Sequence, residues 1–234
     1  MSNILIITVL YNQRIQQTNV FKTLLKGYGN VFIYDNSPSP ENITSLPAGW
    51  HYISDPTNPG LSKAYNCGAK YAIEHGFDWI LITDQDTEFP DDALHGYEAA
   101  IKMNPDIGMF IPQVRATEQL YLSPVKLRHY MPRLSKSVPA GKIRIKDYAI
   151  INSGTLINVS KFMECGGYNE KVFLDFADFQ FMERFGNLNR EAYVIPVICK
   201  QDFSDITQSK EQKLNRFKLA CASIRGYRTS NKLT

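Results

Sequence analysis

The chain has 234 residues, 44% of them hydrophobic and 21% charged, with a formal net charge of +3. That length and balance suit one large domain, or one domain with an appended tail, with apolar material for a sizeable core. The charge is too small to argue for a nucleic-acid partner. Cys67, Cys165, Cys199 and Cys221 lie too far apart for a zinc site or a redox pair. No apolar run approaches the length of a membrane span. The first residues lack a basic region and a small-residue cleavage site, so no signal peptide is expected and a cytoplasmic setting is.

In chain order, Ile4 to Leu10 is a nearly continuous β-rich apolar run, as in a central parallel strand. Ile15, Val20, Phe21, Leu24 and Leu25 recur at roughly helical spacing, and Gly27 and Gly29 end that predicted helix. Val31 to Tyr34 is a second strand, running into Asp35-Asn36-Ser37-Pro38, which is turn chemistry. Trp50 to Ser54 is a third, shorter strand. Asn58-Pro59-Gly60 is a turn, and Leu61 to His75 a helix with Ala64, Tyr65, Ala69 and Ala72 on its apolar side. A fourth strand follows at Trp79-Ile80-Leu81-Ile82-Thr83 and ends in Asp84-Gln85-Asp86-Thr87. Phe89-Pro90-Asp91-Asp92 then opens another helix.

Ile107 to Ile111 adds a strand. Arg115 to Tyr148 is basic, holds Pro124, Pro132 and Pro139, and shows no clear period, so a long excursion with some local structure is expected there. Tyr148 to Ile157 reads as a strand kinked at Asn152-Ser153-Gly154. A short helix covers Asn158 to Cys165, another leads on from Phe173-Leu174-Asp175-Phe176-Ala177-Asp178, and Tyr193 to Cys199 is a last strand. The alternation predicts an α/β fold, a mostly parallel sheet flanked by helices. Gln208 to Arg225 reads as a basic helical tail. Its stripe of Leu214, Phe217, Cys221 and Ile224 serves either to pack on the domain or to meet acidic lipids at a membrane surface.

Open α/β sheets present ligands at the carboxyl ends of their strands. Asp84 and Asp86 fall at such an end, spaced to hold a hard divalent cation against a phosphate. Asp35 falls at another. Asn152-Ser153-Gly154 offers small polar residues and a glycine that permits close approach.

These pieces together resemble family 2 glycosyltransferases of the GT-A fold, in particular the rhamnosyltransferase-like branch. The resemblance rests on Thr8-Val9-Leu10-Tyr11-Asn12, Tyr34-Asp35-Asn36-Ser37, the Asn58 to Gly68 stretch, Asp84-Gln85-Asp86-Thr87, Asn152 to Ile157 and Phe173 to Phe181, in the family's order. It implies a GT-A domain over residues 1–205, with a nucleotide-binding half at 1–112 and an acceptor-side half at 113–205, followed by the tail at 206–234. It also implies an inverting transfer from a nucleoside diphosphate sugar, dTDP-rhamnose or a UDP-sugar, to a glycan or lipid-linked glycan acceptor. Such an enzyme would work in bacterial surface polysaccharide synthesis, at the inner membrane face. Asp35 then contacts the nucleobase, with Thr8 and Tyr11 in the same pocket. Asn58 and Lys63 lie near the nucleotide, Asp84 faces the ribose or sugar, and Asp86 binds Mn²⁺ or Mg²⁺. Asn152, Ser153 and Gly154 shape the sugar pocket. Asp178 is the expected catalytic base, Asp175 the alternative base or an acceptor-orienting group, and a helix N-cap the plain structural role for Asp178.

Two departures bear on the metal. Where many relatives have a second acid after the base, this chain has Gln180. Where many have a late histidine, it has Cys199-Lys200-Gln201-Asp202-Phe203-Ser204, so Asp202 or Lys200 is the expected substitute. A phosphotransferase with a paired-aspartate nucleophile fits less well, because Glu88 stands where that class has Thr or Val. A non-catalytic sugar-nucleotide or glycan-binding protein on the same scaffold remains the second reading.

Overall fold

The structure, a computed structural model, describes residues 3–40, 46–128, 131–132, 135–201 and 210–230. Its strands are β1 (Ile4–Leu10), β2 (Val31–Asp35), β3 (Trp50–Ser54), β4 (Trp79–Asp84), β5 (Thr87–Glu88), β6 (Met109–Thr117), β7 (Leu120–Ser123), β8 (Val125–Arg128), β9 (Met131–Pro132), β10 (Gly141–Arg144), β11 (Tyr148–Ala149), β12 (Thr155–Asn158) and β13 (Glu191–Gln201). The helices are α1 (Leu61–Glu74), α2 (Ala93–Met103), α3 (Val159–Glu164), α4 (Ala177–Leu188) and α5 (Lys210–Ser230).

The central sheet runs β10-β13-β6-β12-β4-β1-β2-β3, with β5 added to β13 and β7 to β6. The half containing β3, β2, β1 and β4 is parallel. Beyond β4 the sheet is mixed: β12 pairs antiparallel with β4 and β6, whereas β6 and β13 run parallel. Parallel pairing thus runs through the first half and recurs at β6–β13, while β12 and β10 bring in antiparallel partners.

Both faces of the parallel half are covered, which explains its unbroken apolar runs. Leu5, Ile7 and Val9 of β1, Phe32 and Tyr34 of β2, and Ile80 and Ile82 of β4 pack under α1 with Ala64, Tyr65, Ala69 and Ala72. Their alternates, including Ile4, Ile6, Val31, Ile33 and Leu81, pack on the other side with Ala93, Tyr97 and Ala100 of α2. At about 1.5–3 kcal/mol per large side chain removed from water, these two layers are the main source of stability.

The helix expected after β1 is broken into a 3-10 turn at Ile15–Gln17 and a wide π turn at Phe21–Leu25. Thr18 divides them: its hydroxyl donates to Ile15 O and accepts from Phe21 N. Local side-chain bonds of this kind compete with a continuous helix. The local structure expected after residue 115 is, among the described residues, a set of short strands, β7 to β11, three of which (β11-β8-β9) form a small second sheet. Strands of two to four residues are too short to display a period of two.

The tail is helical, but its apolar stripe points outward. Leu214, Phe217 and Ile224 are 54%, 65% and 38% exposed, whereas Ser223 is buried. Contact with the domain comes from Gly226, whose α-carbon sits against the Lys171 carbonyl, and from Tyr227, which bonds Glu183. No described helix is long and apolar enough to cross a membrane. All four cysteines are free.

Candidate active site

Strand register sets the first carboxylates. Leu10 pairs with Asp35 and Val9 with Asp84, so both acids emerge at the same carboxyl edge of the parallel half. A pocket of about 290 Å³ opens there, lined by Leu10, Asn12, Arg14, Ile15, Asp35 and Ser37 among others. Asp35 is buried. Its Oδ1 accepts from Ser37 N at 2.8 Å and its Oδ2 from the Tyr52 hydroxyl at 2.7 Å. The turn-forming and pocket-lining roles weighed for Asp35 are thus compatible. Asn12, held in the left-handed region at φ 53, donates its N–H to Ser37 Oγ and closes the pocket rim.

Tyr11 is half exposed at the same edge, and its backbone is bound at both ends by the Gln85 amide: Gln85 Oε1 accepts from Tyr11 N and Gln85 Nε2 donates to Tyr11 O. Thr8 corrects the sequence expectation. It lies wholly inside the sheet with no exposed surface, so it underlies the pocket rather than lining it.

The Asn58-Pro59-Gly60 turn joins the two halves. Asn58 and Gly60 both have positive φ, and Gly60 lies so close to the Phe173 carbonyl that a Cβ would collide with it. Leu61 N donates to Phe173 O and Ser62 Oγ to Val172 O, tying the start of α1 to the loop that carries Asp175. Lys63, expected near the nucleotide, has its ammonium 3.8 Å from Asp55 Oδ2 and is engaged by that acid.

The densest cluster surrounds Asp84. Its Oδ1 accepts from the Tyr65 hydroxyl at 3.0 Å and its Oδ2 from Gln201 Nε2 at 3.3 Å. Burial raises its pKa, and hydrogen bonds from Tyr65, Gln201 and Ser153 oppose that rise. Gln201 Nε2 also lies 3.3 Å from Asp86 Oδ1. The Asp86 backbone is fixed by Asn19 Nδ2, and the next residue, Thr87, shares a hydrogen bond with Ser153.

Asn152 Oδ1 accepts from Tyr168, whose ring stacks on Phe181 of α4. Gly154 has φ +77, and a Cβ there would stand 2.5 Å from Pro112 Cγ, so only glycine fits. Burial pushes the Tyr65 and Tyr168 phenols well above their ordinary pKa, which keeps both as donors.

Asp178 lies in the first turn of α4. The cap position belongs to Phe176, at φ 69, so Asp178 is not the N-cap. It accepts a hydrogen bond, at 2.8 Å, from the adjacent Phe179 N–H. Burial, with smaller contributions from the charges of Asp84 and Asp175, raises its pKa to about 7. A carboxylate that titrates near neutral pH is suited to accept a proton.

The structure therefore brings Asp84, Asp86, Ser153, Asn152 and Asp178 into one region, with Asp35 and Tyr11 along the same edge. Sequence reasoning missed Tyr65, Tyr168, Gln85 and Gln201. Tyr65 was readable as an apolar helix residue, and only its hydroxyl hinted at a partner.

Among the described residues, no group of three or more His, Cys, Asp or Glu side chains is assembled as a ready metal site. Asp84 Oδ2, Asp86 Oδ1 and the Gln201 amide are nevertheless close-set hard donors. Gln201 Oε1 is buried with no hydrogen-bond partner among the described residues. One or two carboxylates plus substrate phosphates suffice for Mg²⁺, so the residues present fit such an ion. Of the substitutes expected for a late histidine, Lys200 is exposed opposite Glu88, and Asp202 lies outside the described residues.

Comparison with known proteins bears on the family and the fold. The model of the family described as glycosyl transferase family 2 matches residues 6–166, which include Asp35, Asp84 and Asp86. A dTDP-rhamnosyl transferase, RfbF of Shigella flexneri, is 25% identical over 202 residues, covering 84% of this chain and 68% of its own. The crystal structure of S. aureus TarS 1–349 superposes with a TM-score of 0.61 at 12% identity, covering all of this chain and 76% of that one. The same TarS fragment in complex with UDP gives 0.59 at 15% identity, covering 96% of this chain and 65% of that one. The two structural matches, at 12% and 15% identity, speak for the fold alone. The family match spans well over half of the chain: this protein belongs to glycosyl transferase family 2.

Proposed function

We propose that the protein is an inverting transferase that moves a rhamnose-like sugar from a nucleoside diphosphate, with dTDP favoured over UDP, to a hydroxyl of a glycan or lipid-linked glycan acceptor. Surface polysaccharide assembly is the setting that suits this chemistry. The observation that carries the reading is Asp178, a partly buried carboxylate in the first turn of α4 that feels the charge of Asp84 and whose pKa is raised to about 7. The 25% identity to a dTDP-rhamnosyl transferase favours the donor.

In this reading the nucleobase enters the pocket at Asp35, with Tyr11 at its rim. Tyr65 and Gln201 orient the Asp84 carboxylate toward the ribose or sugar, while Asn152 and Ser153 line the sugar site. Asp86, with Asp84 and Gln201 beside it, would hold Mn²⁺ or Mg²⁺. A bound divalent cation supplies charge that stabilises the leaving diphosphate. Asp178 takes the acceptor's hydroxyl proton as its oxygen bonds to the anomeric carbon. The bond from that carbon to the phosphate oxygen breaks, and its electron pair leaves with the diphosphate. One displacement inverts the centre and needs one base. Asp175 orients the acceptor. The domain division at residues 112 and 205, and a membrane-surface role for α5 through exposed Leu214, Phe217 and Ile224 beside Lys218, belong to the same proposal.

The test is release of nucleoside diphosphate from dTDP-rhamnose and from UDP-N-acetylglucosamine, with water or added glycan as acceptor. Release from dTDP-rhamnose that Asp178→Asn abolishes supports the proposal. Nucleotide binding with no release from either donor would favour a non-catalytic sugar-nucleotide-binding protein.

A further inference from the structure

Gln201 sits where a charged or imidazole ligand would be expected. β13 meets β5 antiparallel, with Lys200 opposite Glu88 and Gln201 opposite Thr87. Side chains alternate along a strand, so the register that turns Lys200 outward aims Gln201 at the Asp84–Asp86 turn. Its Nε2 lies 3.3 Å from Asp84 Oδ2 and 3.3 Å from Asp86 Oδ1. The oxygen of the same amide, Oε1, is buried with no hydrogen-bond partner among the described residues.

An acceptor left unmatched in a buried site calls for an explanation. The two ends of an amide are nearly the same size, and its terminal torsion is roughly two-fold, so half a turn exchanges them without moving the chain. The nitrogen end suits a pair of carboxylates with no cation between them. A divalent cation between those carboxylates would repel the N–H₂ end and attract the oxygen. Amide oxygens are accepted ligands for hard cations. The spacing also agrees, since neighbouring ligands on an octahedron with bonds of about 2.1 Å stand about 3 Å apart.

We propose that Gln201 is a metal ligand of the donor site that works by amide rotation. Its Nε2 bridges Asp84 and Asp86 as in this structure, and its Oε1 turns in to ligate a divalent cation bound between them. The proposal rests on the reading that the site takes such a cation together with a nucleotide. It gives a neutral amide the place of the missing histidine.

The experiment is Mn²⁺ titration of the full chain in saturating UDP, with free Mn²⁺ followed by electron paramagnetic resonance. Wild type, Gln201→Leu and Gln201→Glu are compared, each first shown to melt cooperatively. Wild type should bind. Gln201→Leu, similar in size but without an oxygen, should bind about 10-fold or more weakly. Gln201→Glu, which restores an oxygen, should bind at least as tightly as wild type. Unchanged or tighter Mn²⁺ binding in Gln201→Leu would overturn the proposal, since a residue that only clamps the two acids competes with the ion. If wild type binds no Mn²⁺ in UDP, the metal-dependent reading fails and this proposal with it, whereas sugar release from the donor is scored separately.

Discussion

Asp35 ends β2 in the parallel half and Asp178 lies in the first turn of α4, and the surroundings of these two carboxylates differ. Asp35, on the parallel half, has a hydrogen-bond donor on each oxygen, from Ser37 and Tyr52. Asp178, in the first turn of α4, accepts from the neighbouring Phe179 N–H, is raised by burial, and feels the charges of Asp84 and Asp175. A carboxylate meant to hold a ligand is best fixed by donors, and one meant to take a proton is best left under-solvated. Asp84 stands between the two, with burial and three donors acting in opposite directions.

Removing the base should give the largest effect. Asp178→Asn is expected to slow transfer by about 10²–10⁴-fold while leaving nucleotide affinity near wild type, read by steady-state kinetics and calorimetry. The same substitution should raise stability, because a carboxylate pushed to about pKa 7 by burial resists ionising in the fold. The folded pKa lies above the unfolded 3.8, so wild type loses stability as pH rises from about 4 through 7. Asp178→Asn does not, and the gap in melting temperature between them should open across that window. For the same reason the wild-type rate should rise about tenfold per unit below pH 7 and level off above it. A flat profile would show that Asp178 is not the base.

Asp86→Ala comes next. It should weaken UDP or dTDP binding about 10–100-fold in Mn²⁺ and much less without it, measured by calorimetry. Gly154→Ala forces a Cβ against Pro112 at positive φ, and should cost about 2–4 kcal/mol in urea unfolding. Tyr52→Phe is the smallest change. It removes one donor from Asp35 and should weaken nucleotide binding several-fold, about 1 kcal/mol, with kcat unchanged. An equal loss in kcat would mean that the pocket at Asp35 contributes to the chemistry as well as to binding.

The contrast between the halves also explains what could be read from the sequence. β1, β2 and β4 are buried on both faces and long enough to stand out, and Asp35 and Asp84 terminate two of them. α1 shows its inner face through Ala64, Ala69 and Ala72. Asp178 could be placed at a helix start, but its raised pKa comes mainly from burial in the folded chain, with smaller contributions from the charges of Asp84 and Asp175. The strands at 115–148 escaped because two to four residues carry no measurable period. Gln201 escaped for a different reason. It meets Asp84 across 117 residues of chain, through a register that only the β13–β5 pairing sets. Thr8 had the right strand and the wrong depth, since a strand covered on both sides gives no sign of which residue reaches its edge.

The most direct test of the central claim is a thermal-shift comparison of wild type and Asp86→Ala with dTDP, UDP, GDP and CDP, each with and without Mn²⁺. Ligand at 100 times its dissociation constant adds about 2.7 kcal/mol, or roughly 5–10 °C for a chain of this size. The account predicts a rise of that order for wild type with dTDP or UDP in Mn²⁺, largely lost in Asp86→Ala. No shift with any nucleotide, or an equal shift in the variant, would contradict it.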